Sequence, residues 1–367
     1  MYSWWGHIGL AIQDSKNGSE YIYDFGNFSF EAKDFFTNFA KGRLWFLALR
    51  LPFTPYVENM TESDRDIHLY KLNLGIEKKK AMQSFLEWNR QKENRQYLYH
   101  HYRDNCATRI RDLLNDLTDG QLLEATDLPS GKTLRELTRQ GSRPYFFGDI
   151  LISFLLSGVN DKPVTIWDEM FLPGYLERTV LSFSYTNEAG TVLPLVAEKM
   201  ILHTSSIFKP VPVEPAFPVW YRGILAGLLF AFPAILLIML RRKTLFDIYR
   251  MAFLCIAGIP GSILFFMMFF SDHDVTYGNW NILILSPLCF LIVPLTILIW
   301  KKKGKVLKDG TRLSDVMMRI FCHTLCGLTL VSFLASRIPR WKQDNLLIVA
   351  VMALPYLSFC LRERKKT

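Results

Sequence analysis

Tyr102-Arg103-Asp104-Asn105-Cys106-Ala107-Thr108-Arg109 is the stretch whose reading decides the fold. Cys106 is the first of six cysteines and the next is Cys255, so it has no disulfide partner in its own part of the chain. Asp104 and Asn105 are helix-capping residue types, and Ala107, Ile110, Leu113 and Leu114 follow at helical spacing, which predicts a helix starting at the cysteine. In a first turn the positive end of the helix dipole and the unbonded backbone N–H groups favour a thiolate. Arg103 and Arg109 add positive charge. A lone cysteine is by default a small packing residue, so reactivity requires a partner.

That partner is at the start of the chain. Trp4 to Ile12 reads as a strand, with His7, Gly9 and Ala11 on one face. Glycines on both sides leave the His7 ring open to a neighbour. A second strand, Glu20 to Phe25, follows the turn-like Asp14-Ser15-Lys16-Asn17-Gly18, which predicts a hairpin. Asp24 or Tyr23 then lies beside His7, depending on register. A sulfur at a helix start, an imidazole to carry the proton and a polar group to orient the ring are what thiol nucleophilic catalysis needs. In papain-like enzymes the cysteine helix precedes the histidine strand. Here His7 comes first, the order of a circular permutation.

Gly6-His7, the run Tyr21-Ile22-Tyr23-Asp24-Phe25-Gly26-Asn27-Phe28-Ser29-Phe30, and Asp104 to Arg109 resemble the N-terminal domain of Lnb-type bacterial lipoprotein N-acyltransferases. Phe171-Leu172-Pro173, Ser271-Asp272-His273 and Asn279-Trp280-Asn281 resemble later landmarks of that family, so the resemblance runs over nearly the whole chain. It implies an α+β, permuted papain-like domain related to NlpC-type and lecithin:retinol-acyltransferase-like folds, ahead of an all-α transmembrane bundle of about five helices. By the same resemblance Cys106 is the nucleophile, His7 the base and Asp24 the third member. Tyr23, Asn105 and Arg109 support them, and His273, Asn279 and Asn281 bind a lipid head group or shape the acyl-transfer site. The implied partners are a phospholipid acyl donor and a lipoprotein acceptor, with no metal or organic cofactor. Such proteins normally carry a secretion signal, and no basic and apolar leader precedes the first expected strand here. The expectation is a start placed too late, a fragment, or another route of export.

Composition divides the chain. A mixed, charged first part is followed by apolar stretches at Val219 to Leu240, Ile248 to Phe270, Ile282 to Trp300, Val316 to Ala335 and Leu346 to Leu361. Each approaches the roughly 20 residues that cross a bilayer. Pro233, Pro260, Pro287, Pro294 and Pro355 are tolerable as kinks in a packed membrane bundle. The domains expected are therefore 1–208 outside the cytoplasm, a stiff Pro-rich linker at 209–218, the membrane part at 219–361 and a tail at 362–367. Arg241, Arg242 and Lys243, the run Lys301, Lys302, Lys303, Lys305, Lys308 and Arg312, and the tail cations Arg362, Arg364, Lys365 and Lys366 belong on the cytoplasmic side. The loop at Ser271 to Asn281 has no Lys or Arg, and the next on that side has only Arg337, Arg340 and Lys342. This places a multi-pass protein in the bacterial inner membrane, with a periplasmic N-terminal domain and a cytoplasmic C-terminus.

The net charge of +9 would suit a nucleic-acid partner, but many of the cations are topological anchors and no nucleic-acid motif accompanies them, which excludes that class. Cys322, His323 and Cys326 cannot all face one ion from a single helix, so they read as packing residues. His100 and His101, on an expected strand, point to opposite faces and make no paired metal site. Asp272-His273-Asp274, on the side of the catalytic domain, reads as a solvated turn by spacing alone. Leu44 to Leu49 and Ile67 to Leu72 read as strands. Glu77 to Asn89 reads as a helix with Ala81, Phe85 and Trp88 inward, Leu134 to Leu137 begins another, and Phe146 to Leu156 is a further helix that packs on the domain or lies at the membrane surface. The function expected is a membrane-bound thiol acyltransferase. An NlpC-like cell-wall peptidase or amidase anchored by its spans, and a non-catalytic membrane scaffold, remain as alternatives.

Overall fold

The computed structural model describes residues 4–15, 18–28, 34–207, 219–302, 305–307 and 312–361. The Lys16-Asn17 turn, Ser29 and Phe30 of the hairpin run, the Pro-rich linker, Lys303, Lys308 and the tail lie outside them. The chain folds as two compact units, residues 1–141 with 163–212, and residues 142–162 with 213–367. The expected soluble domain of 1–208 is thus interrupted: 142–162 belong with the membrane helices.

In the first unit, strands β1 (Gly9–Gln13), β2 (Glu20–Asn27), β3 (Trp45–Pro52) and β5 (Gln96–Leu98) form an antiparallel sheet in the order β1-β2-β3-β5, while β4 (Ile67–Leu72) pairs elsewhere. Helices α1 (Phe35–Ala40), α2 (Phe53–Glu62) and α3 (Ile76–Asn89) lie between the strands, and α4 (Cys106–Leu117) follows β5. The side of α4 formed by Ala107, Ile110, Leu113, Leu114 and Leu117 enters one core with Tyr23 and Phe25 of β2, Phe46 and Ala48 of β3, and Tyr97 of β5. The apolar spacing that predicted the helix is therefore the face that fixes it to the sheet. Beyond it come α5 (Gln121–Thr126), β6 (Pro129–Thr133) and α6 (Leu134–Ser142), then, after the excursion, β7 (Pro163–Thr165), α8 (Ile166–Glu169), α9 (Pro173–Ser182), β8 (Ser184–Thr186), β9 (Val192–Pro194) and β10 (Val196–His203), which pairs with β4.

Three expectations change here. β1 begins at Gly9 rather than Trp4, because Gly6 takes the left-handed region at φ 82° and turns the chain before His7. β5 ends at Leu98, so His100 and His101 leave the strand, and His100 bridges Asp104 to close a tight turn ahead of α4. α3 buries Met82, Leu86 and Asn89, whereas Phe85 and Trp88 are exposed. Its inward face is one residue round from the expected one.

The excursion carries α7 (Phe146–Leu155) into the second unit. That unit continues with α10 (Val219–Met239), α11 (Lys243–Phe270), α12 (Ile292–Trp300), α13 (Leu313–Ala335) and α14 (Leu346–Cys360). Among the described residues, four stretches are long and apolar enough to cross a membrane: 220–239, 243–270, 280–300 and 313–335. The third is not the regular span expected at 282–300. It runs as two tight turns, Trp280–Leu283 and Pro287–Leu291, before the nine residues of α12. Pro287 and Pro294 lack the N–H that a continuous helix requires. Two carbonyls in this stretch are satisfied by neighbours, Trp280 O by Ser332 Oγ at 2.9 Å and Ile284 O by Tyr356 Oη at 2.6 Å. The 15 residues of α14 reach about 22 Å, short of the roughly 30 Å hydrocarbon core. Cys326 Sγ faces Cys360 Sγ at 3.6 Å, and His323 Nδ1 meets the Arg319 carbonyl at 2.8 Å, so this cluster is divided among packing contacts.

Candidate active site

Register fixes which residue meets His7. β1 and β2 pair with Gly9 opposite Asp24 and Leu10 opposite Tyr23, so two residues further along His7 comes opposite Gly26. Between Asp24 and Asn27 the pairing of β2 with β3 slips by one, a bulge that re-aims the strand end. His7 Nε2 meets Asp24 Oδ2 at 2.9 Å. The other carboxylate oxygen accepts from the Gly26 amide at 2.6 Å and from Asn27 Nδ2 at 3.0 Å. Tyr56 of α2 donates its hydroxyl to Asp24 Oδ2 at 2.7 Å. The buried carboxylate is thus surrounded by donors. Its burial alone would raise its pKa, but the bond and charge of His7, the Gly26 N–H and the Tyr56 hydroxyl together lower it.

Cys106 also acts on the His7 ring, as a hydrogen-bonding and charged neighbour. Burial works against its charged form, yet the bonds to Asp24 and Cys106 and the charges of both outweigh that and raise it to about 10. With Nε2 on Asp24, the ring is an imidazolium across the neutral range, paired with that carboxylate. The approach depends on Gly26 having no side chain: a Cβ there would stand 2.5 Å from His7 Cε1.

Cys106 is the first residue of α4 and is half-buried. Asn105 caps the helix, its side-chain oxygen accepting from the Ala107 and Thr108 amides at 2.8 and 2.9 Å while Thr108 Oγ1 accepts from the Asn105 amide. Those two amides are therefore not the open donors expected of the first turn. Among the described residues the Cys106 amide itself has no acceptor. Asn105 Nδ2 donates to the carbonyls of His101 at 2.6 Å and Phe171 at 3.0 Å, which ties the Phe171-Leu172-Pro173 segment to the cysteine turn. His101 sits against Trp5, Tyr102 and Phe171, and burial lowers it to about 4, so it is neutral there.

The remaining predicted residues go elsewhere. Tyr23 does not join His7: its hydroxyl donates to Glu87, which also accepts from Arg50. Arg109 forms a two-pronged bridge to Asp104 at 2.6 and 3.0 Å and stacks its guanidinium 3.8 Å from the Tyr97 ring centre, bracing the turn rather than facing the sulfur. Arg103 pairs with His100 Nε2 at 2.8 Å. His273 caps a short turn in the second unit. Asn279 and Asn281 are buried there and spend their amides on carbonyls of α7. Asn279 donates to Phe154 at 2.8 Å and Leu155 at 3.0 Å, and Asn281 to Phe154 at 2.9 Å and Ser153 at 3.2 Å. The head-group role was implied by the family resemblance; in the structure the amides of Asn279 and Asn281 are engaged by backbone carbonyls. A cavity of about 450 Å³ lined by Lys132, Glu169, Tyr175 and Arg178 contains none of Cys106, His7 or Asp24. Gly26, Asn27 and Tyr56 are the site residues that sequence reasoning missed. The glycine and asparagine follow Asp24 directly and could have signalled a bulge, whereas Tyr56 had no local signal.

A thiol at a capped helix start, next to an imidazole that is itself held by a buried carboxylate, is an arrangement suited to nucleophilic thiol chemistry. Residues 1–140 match the family model described as Lnb N-terminal periplasmic domain, and residues 218–328 match the one described as Lnb transmembrane domain. The chain has the architecture of the Lnb-type lipoprotein N-acyltransferases, a periplasmic α/β domain followed by a helical membrane region, in a family of lipoprotein maturation. Comparison with curated proteins and with solved structures gave no match.

Proposed function

We propose that the protein transfers an acyl chain from a phospholipid, through a thioester on Cys106, to the α-amine of the lipidated N-terminal cysteine of a lipoprotein. The observation that carries this reading is His7 held by Asp24 at 2.9 Å while Cys106, at the start of α4, acts on the same ring. His7 carries a proton across the neutral range, and the Cys106 sulfur attacks the ester carbonyl of the donor. The tetrahedral oxyanion is met by the Cys106 amide, since the cap occupies the next two; one such donor contributes about 3 kcal/mol. Collapse breaks the ester C–O bond, and His7 returns its proton to the departing lysophospholipid oxygen. The acceptor amine then attacks the thioester, His7 takes a proton from it, and the C–S bond breaks to give the amide and the free enzyme. Asp24 holds the ring in place throughout and offsets its charge. The order His7, Asp24, Cys106 along the chain fits a permuted papain-like domain. In this reading the membrane is the bacterial inner membrane, and the cations at 241–243 and 301–302 and the C-terminus lie in the cytoplasm.

The test is mass spectrometry of the N-terminal lipopeptide of a model lipoprotein, in cells lacking their own N-acyltransferase and supplied with the wild type or Cys106→Ser. An added N-acyl chain with the wild type alone is the expected result. No added chain from correctly exported protein would favour a peptidase or a scaffold instead.

A further inference from the structure

Helix α7 has its polarity reversed for a helix in water. Asp149 and Ser153 are each 1 % exposed, beside the buried Phe154, whereas Phe147 is 81 % exposed and Leu151, one turn on, 49 %. A helix against water buries its apolar stripe and presents its polar one; the opposite arrangement suits a helix whose outer solvent is hydrocarbon. The ten residues of α7 rise about 15 Å, half of a hydrocarbon core, so the helix cannot cross.

Its attachments fix the side on which it lies. Phe154 and Leu155 carbonyls are held by Asn279, at the start of the third membrane stretch. The Ser157 amide and Asn160 Nδ2 donate to Val275 O at 2.8 and 2.9 Å, and the Asp344 amide donates to Asp161 Oδ2 at 3.0 Å. Val275 lies between the second and third stretches and Asp344 between α13 and α14, so both are at the ends of spans that open to the periplasmic side. The segment after α7 is pinned there by these hydrogen bonds, within the unit that contains the membrane stretches.

We propose that α7 is a half-membrane helix, immersed in the periplasmic leaflet with Phe147 and Leu151 against phospholipid acyl chains. The soluble sequence thereby contains its own lipid contact, about forty residues after Cys106. This holds whatever reaction Cys106 performs, and phospholipid is the occupant because no polar group on that face could engage water or a polar partner.

The experiment places the photo-crosslinking residue p-benzoylphenylalanine at position 147, separately at 151, and as a control at Lys80, on a water-facing helix of the soluble unit. The full chain, carrying Cys106→Ser so that no acyl-enzyme is mistaken for an adduct, is reconstituted in phosphatidylglycerol–phosphatidylethanolamine vesicles, irradiated and weighed intact. Phospholipid adducts at 147 and 151 at least about tenfold above those at 80 are expected. Adducts to protein at both positions, or lipid adducts no more frequent than at 80, would overturn the proposal. Because the readout is lipid mass rather than transfer, it fails or succeeds independently of the acyltransferase reading.

Discussion

Replacing Gly26 by alanine tests the placement of His7 directly. The new Cβ would stand 2.5 Å from His7 Cε1, and 3.2 Å from both His7 Nδ1 and Asp24 Oδ1. Carbon atoms in ordinary contact sit about 3.5–4.0 Å apart, so the ring or the strand must retreat by roughly 1 Å. A misplacement of about 1 Å in a catalytic group costs on the order of 100-fold in rate. Gly26 is not among the glycines of positive φ, so its backbone accepts alanine and the fold should survive. The strain should lower stability by about 1–3 kcal/mol. The assay compares N-acylation rates of purified wild type and Gly26→Ala on one lipopeptide acceptor, with melting temperatures in parallel. Gly174→Ala, a helical position with nothing within 4 Å of the new methyl, serves as control. It should keep full activity and gain up to about 1 kcal/mol. A Gly26→Ala protein with normal stability and activity within about twofold of wild type would refute the close approach of the ring to that glycine, since a 1 Å shift should cost far more.

Other outcomes follow from the same contacts. His7 has a folded pKa of about 10 against 6.5 unfolded, so its contribution to stability is complete below pH 6.5 and declines as pH rises toward 10. Asp24→Asn removes the main partner behind that shift, so the fall in melting temperature between pH 6.5 and 10 should flatten; an unchanged slope in the variant would contradict the assignment. Asn105→Ala should cost about 1–2 kcal/mol from the lost cap, and should also lower transfer, because Phe171 and the cysteine turn lose their tie. Asn105→Asp should recover the cap but not that tie, which a comparison of melting temperature and rate would separate. Asn279→Ala strips the Leu155 carbonyl of its side-chain donor and leaves Phe154 with Asn281 alone, and should destabilise by about 1–3 kcal/mol while alkylation of Cys106 by iodoacetamide proceeds at the wild-type rate; slowed alkylation at equal stability would argue for a role beyond scaffolding.

The parts of the site that were legible in the sequence are those written locally. Asn105 and Cys106 carry a cap and a helix start, and a hairpin places Asp24 within reach of His7 by pairing alone. What decided between Asp24 and Tyr23 was a register, and the bulge at Gly26 that aims the carboxylate shows only once β3 is paired as well. Tyr56 reaches the carboxylate from 32 residues away through tertiary packing. The face of α3 was misread because Phe85 and Trp88 are the larger apolar residues, yet the core closes on Met82 and Leu86. Hydropathy identified the stretch at 282–300, but an apolar run looks alike whether or not prolines break it. Asn279 and Asn281 are buried polar residues that need partners. Their partners turned out to be the backbone of α7, some 125 residues earlier.

The excursion at 142–162 has a consequence for how the protein is made. The carbonyls of α7 receive their donors from Asn279 and Asn281, and Leu156 receives one from Gln343, 187 residues downstream. At a synthesis rate of about 5–20 residues per second, Gln343 emerges roughly 10–40 s after Leu156. During that interval the Leu156 carbonyl waits for its donor, although Asn279 and Asn281 have already emerged. Assembly of the chain must therefore finish backwards, with the last helices to be synthesised closing a place held open within the first half. Ribosome stalling or truncation after the third membrane stretch should accordingly leave the early segment exposed to quality-control proteases, even though every residue of the thiol site has already been made.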